Sequence, residues 1–192
     1  MKVALYSCGI LLFLLCQACN KADVKAREGK TLDSLSVSLT AMANGLNKTD
    51  TVLLQKSIAR FNYYRKFIIE NIHDTILKEQ ADNLKHFFSG GENLEAFSEN
   101  RKIILQRAEL VNLQLSQLKE DLKSNVDLEI LSKFSVAEKV ETLKLTEAGY
   151  LQQERFQRSF EEFKNALNGV EALIRSRNYG NLPTIIKDTI NL

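Results

Sequence analysis

The chain has 192 residues, 44% of them hydrophobic and 26% charged, with one proline, eight glycines and no tryptophan. That length and composition suit one globular domain behind a targeting segment, and a lone proline leaves too few punctuated turns for a β-sandwich or barrel. Lysine plus arginine, 26 in all, nearly balance the 24 acids, which excludes a strongly basic nucleic-acid binder and an acidic tail protein.

The first element is the N-terminus, and it holds every cysteine: Cys8, Cys16 and Cys19. The remainder of the chain therefore has no disulfide framework, no cysteine-ligated metal and no cysteine nucleophile. Lys2 is followed by an apolar run over 3–15, then by Cys16-Gln17-Ala18-Cys19, and the chain turns polar at once with Asn20-Lys21. This is the pattern of a secretory signal. Thirteen helical residues cover about 20 Å, against a hydrocarbon core of about 30 Å, so a permanent transmembrane helix is the weaker reading.

Ala18 directly before Cys19 resembles the lipobox of bacterial lipoproteins, although Cys16 stands where leucine is usual. The resemblance covers residues 1–20 only. It implies that residues 1–18 are a lipoprotein signal peptide and that Cys19 becomes the first mature residue. Cys19 would then carry a thioether-linked diacylglycerol and usually a third acyl chain, palmitate for example. Two or three chains hold a protein on a membrane where one does not. Residues 19–29 read as the lipidated cysteine and a short polar tether. Asn20 in place of an aspartate slightly favours the outer membrane over the inner one.

Residues 30–192 read as a single helical-bundle domain. Leu32, Leu35, Leu39, Met42 and Leu46 recur at spacings of three and four and predict a helix from about Thr31, stopped by Asn44-Gly45. Thr49-Asp50 offers a cap for a second helix with the stripe Leu54, Ile58, Phe61, Ile68 and Ile72. That helix either continues to Phe88 or breaks near His73-Asp74, and Ser89-Gly90-Gly91 reads as a turn. A third helix, from Asn93 or Ser98 to Lys123, carries Ile104, Ala108, Val111, Leu115, Leu118 and Leu122. A short apolar helix over 128–134 follows, or extends the third.

Ser135 and Glu138 form a capping-box pattern that starts a fourth helix of about 43 residues. Its stripe reads Val136, Val140, Leu143 and Tyr150, then Phe160, Phe163, Leu167, Val170 and Ile174, with a polar layer from Glu147 to Arg155. Asn178-Tyr179-Gly180 stops it. The apolar segment 179–192 reads as a strap over the bundle end, with a docking helix as the alternative. The fold expectation is all-α: an elongated, mostly antiparallel bundle of about four helices with coiled-coil-like packing.

Catalytic constellations are sparse. Glu70 and His73 have the Glu-x-x-His spacing of di-iron bundles, but Asn83 stands three before His86, so the second copy is missing. Adjacent acids such as Glu120-Asp121 and Glu161-Glu162 point about 100° apart on a helix and read as solvated faces. No phosphate loop or nucleophile elbow is present in the sequence, and no cofactor is expected. Tyr63 and Phe67, four apart and off the apolar stripe, are the best sequence candidates for an interaction patch.

The resulting expectation is a non-catalytic, lipid-anchored envelope protein that binds or scaffolds an envelope partner. Self-association is left open. The alternatives are a carrier of a small ligand or metal using Glu70, His73 and the layer near Glu154, and, less favoured, an envelope hydrolase with paired carboxylates.

Overall fold

The computed structural model describes the backbone of residues 2–124 and 126–183, and side chains from Asp23 onward except Leu128. Four helices follow in order: α1 (Lys2–Asn47), α2 (Thr51–Asn71), α3 (Lys78–Lys123) and α4 (Leu128–Arg177). No strand occurs among the described residues, and the protein is an all-α helical bundle. The Cys19 side chain and residues 184–192 of the expected strap lie outside the described residues. Contacts gather the chain, read from sequence as one domain, into two compact units: Met1–Ala43 with Leu105–Glu147, and Asn44–Ile104 with Ala148–Leu192.

The first unit has an aliphatic core. α1 buries Leu32, Leu35, Leu39 and Met42, and α3 buries Ala108, Val111, Leu115, Leu118 and Leu122. The α3 stripe is thus the one the spacing predicts. α1 and α3 run antiparallel, with Lys119 paired to Asp33 and Ser36 donating to Asn112 Oδ1 at 2.6 Å. The stretch over 23–29, expected as a tether, is helical. Lys25 donates to the Ser124 carbonyl, and Glu28 accepts from the Ser135 hydroxyl, both at 2.9 Å. Those partners hold a polar segment in the helix without an apolar stripe.

α4 corrects the sequence reading twice in this unit. It begins at Leu128, because Asp127 Oδ1 accepts from the Glu129 amide at 2.9 Å and so caps the helix a full two turns early. The Ser135–Glu138 capping box does not form, since Ser135 sits inside the helix and bonds Glu28. The buried face is also not the predicted one. Leu131, Ser135, Thr142, Leu145 and Thr146 are buried, whereas Val136, Val140 and Leu143 face solvent. Thr142 returns its hydroxyl to the Glu138 carbonyl at 2.6 Å, so the helix itself satisfies a buried polar atom.

The second unit has an aromatic core. Phe61 of α2, Phe87 of α3 and Phe163 of α4 meet with centroids 5.2 to 6.4 Å apart, and Phe97 stacks on Phe156 at 4.4 Å. Such pairs add about 0.5–1.5 kcal/mol each beyond the area they bury. Asp50 caps α2 as expected, accepting from the Leu53 amide at 2.9 Å. α2 then buries Leu54, Ser57, Phe61, Tyr64 and Ile68, while Ile58 and Ile72 are only half-buried. α2 ends at Asn71 and does not run on to Phe88.

Gly90-Gly91 is not a turn but lies inside α3. A Cβ on Gly90 would sit 2.9 Å from the Phe163 nitrogen and the Ser159 carbonyl oxygen, and one on Gly91 would sit 2.1 Å from the Phe61 ring. The pair lets α4 backbone and the aromatic cluster approach α3. Gly45, read as a stop, is likewise helical, and its bare face admits the Gln153 amide. The C-terminal stop of α4 is as expected: Tyr179 and Gly180 have φ of 50° and 84°, and the Gly180 amide returns to the Arg175 carbonyl at 2.9 Å.

Candidate interaction surface

The outward face of α4 in the first unit is its most distinctive surface. Val136, Val140 and Leu143 are 62%, 46% and 53% exposed. Their four-three spacing puts them on one stripe, turned away from the buried stripe of the same helix. Lys139 and Lys144 are exposed on its two flanks. Glu147 follows four residues after Leu143 and ends the apolar run. Apolar residues at this spacing follow the pattern of a coiled-coil seam.

Beneath it the aliphatic core encloses two polar atoms that are not satisfied. Glu138 Oε2 and Thr146 Oγ1 are buried with no hydrogen-bond partner. Burial, helped by the neighbouring Glu141 carboxylate, holds the Glu138 carboxyl above its ordinary range. Arg107 of α3 pairs with Glu141 of α4 at the solvent-exposed edge where the two helices meet.

The predicted patch residues lie in the second unit. Tyr63 and Phe67 are half-buried, and the Tyr63 ring lies 6.3 Å from that of Tyr64. Sequence reasoning passed over Tyr64, which is buried and donates its hydroxyl to Glu171 Oε1 at 2.8 Å. Burial first, and then the carboxylate it bonds, push the Tyr64 phenol up to about 12. The signal for Tyr64 was available: it lies three after Phe61 and four before Ile68, on the core stripe.

The residues named for ligand or acid chemistry are not brought together. Glu70 and His73 are exposed, and His73 Nε2 lies 3.0 Å from the Glu70 carbonyl oxygen, not its carboxylate. Glu154 pairs with Arg158 one turn on, at 2.7 Å. Glu120 pairs with Lys123 at 2.7 Å, which holds its carboxyl below the usual range, and Glu161 lies 3.9 Å from Lys164. Among the described residues no three histidine, cysteine or acidic side chains gather as a metal site, and no helix is long and apolar enough to cross a membrane.

The second unit also carries a groove of about 420 Å³ between α2 and α4. No family model, no curated protein and no solved structure matches this chain.

Proposed function

We propose that the protein is a lipid-anchored envelope lipoprotein whose helical bundle docks an amphipathic helix of another envelope protein. The observation that carries the docking is the exposed Val136–Val140–Leu143 stripe, an apolar surface at coiled-coil spacing with no partner in its own unit. Lys139 and Lys144 flank it, so the fitting partner presents acids beside its own apolar stripe. A second copy is disfavoured, because in either helix orientation these lysines would face lysines. Tyr63 and Phe67 are a subsidiary contact at most, being half-buried.

The anchor rests on the residues around Cys19, with its apolar leader and following polar stretch. Intact-mass analysis of the protein from its native membrane, with sequencing of the N-terminal peptide, tests it. A diacylated or triacylated Cys19 is expected. An unmodified Met1, or cleavage at another residue, would remove the anchor from the account. Palmitate among the acyl chains is read from the same mass, whereas outer-membrane placement rests separately on Asn20 after the cysteine and is tested by membrane fractionation.

A further inference from the structure

We infer that the α2–α4 groove of the second unit binds the single chain of a long-chain carboxylate, with its head against Arg60. The groove stands on the other unit from the docking stripe, so the inference is independent of that reading. Its volume, about 420 Å³, falls within the usual range for small-molecule sites. The floor is apolar: Phe163 is buried, while Phe160 and Leu167 are half-buried beside it and Leu53 stands exposed at one side. Such a floor favours an alkyl chain and gives no recognition to a polar ligand.

The rim has one sign of charge. Lys56, Arg60 and Lys164 line the groove, and no carboxylate does. Lys164 already has Glu161 at 3.9 Å, whereas Lys56 and Arg60 form no ion pair among the described residues. These two lie one turn apart on the same face of α2. An arginine fork matches a carboxylate with two parallel hydrogen bonds, and the lysine one turn away adds charge. Ser57, the remaining polar lining group, donates to the Leu53 carbonyl at 2.9 Å and is committed to its own helix. The chain's own segment 184–192 is apolar enough to compete, and deleting it is therefore one arm of the test.

The test uses membranes from cells that express the full chain, incubated with a palmitate bearing a photoactivatable diazirine and irradiated. Labelled peptides are then mapped by mass spectrometry. The expected result is label concentrated over 53–60 and 160–167, reduced at least fivefold by excess palmitate but not by the uncharged methyl palmitate. The double variant Lys56→Glu/Arg60→Glu, at exposed positions that leave helicity unchanged by circular dichroism, should lower labelling by a similar factor. Label spread evenly along the chain, label indifferent to the charge reversal, or equal competition by the methyl ester would overturn the inference. So would label that appears only when 184–192 is deleted, since that segment would then be the occupant.

Discussion

The two units solve the same packing problem with different side chains. In the second, phenylalanines from three helices fill the interior, and two adjacent glycines on α3 make room for them. In the first, no aromatic side chain is buried among the described residues, and α4 contributes Ser135, Thr142 and Thr146 to the core. The first unit therefore buries hydroxyls and an unpartnered Glu138 oxygen, yet leaves four branched aliphatic residues of the same helix, Ile130, Val136, Val140 and Leu143, in solvent. Packing within the unit accounts for Leu131 and Leu145 on the inward face of α4 but not for the aliphatic residues on its outward face.

Glycine-to-alanine substitutions should separate the units most sharply. Gly90→Ala forces a methyl against backbone atoms of α4 that cannot rotate away, and should cost about 3 kcal/mol in thermal or denaturant unfolding. Gly29→Ala, in α1 of the first unit, meets nothing within 4 Å and should stabilise by up to about 1 kcal/mol through helix propensity. Equal effects at the two sites would mean that α3 and α4 are not closely packed at Gly90.

Tyr64→Phe comes next, with an expected loss of about 2 kcal/mol, because it removes a hydrogen bond to a charged acceptor inside the second unit. It also has a pH signature. The phenol titrates higher in the fold than in the unfolded chain, so its contribution is complete below pH 10 and is lost as pH rises toward 12. The variant should lack that alkaline decline. If wild type and variant decline alike above pH 10, Tyr64 is not the group responsible.

Glu138→Leu should do the reverse in the first unit and stabilise it by about 1 kcal/mol at pH 7, by removing a buried acceptor without a donor. Because the Glu138 carboxyl titrates above its ordinary range, the fold favours its protonated form. Wild-type stability should fall as pH rises through that range, and the gain from the substitution should shrink at pH 4. A destabilised variant would show that Glu138 has a donor in solution. The smallest stability effect is expected at the stripe: Val136→Ser, Val140→Ser and Leu143→Ser should each stay within about 0.5 kcal/mol of wild type, since these side chains are largely solvated.

Much of this architecture was legible from spacing. Every residue of the α3 stripe from Ile104 to Leu122 is buried, Asp50 caps α2, and Gly180 closes α4, because each follows from local periodicity or turn chemistry. The misreadings share a cause. Gly90-Gly91 looks like a turn unless one knows that Phe61 and the α4 backbone lie against it, and only the tertiary fold supplies that. Likewise, hydropathy picks Val136, Val140 and Leu143 as the core face of α4, while the true core face sets Leu131 and Leu145 among hydroxyls, of which Thr142 bonds within the helix and Ser135 bonds Glu28. The candidate surface was in view in the sequence, filed under the wrong heading.

The central claim, that this stripe waits for a helix from another protein, is tested by photo-crosslinking in intact cells. A photoreactive residue is placed in turn at Val140, at Leu143 and at the more exposed Val37 of α1. The account predicts one discrete adduct with a different protein from positions 140 and 143, weakened by reversing Lys139 and Lys144 to glutamate, and none from position 37. Absence of an adduct at 140 and 143, or an adduct only with a second copy of this chain, would contradict it.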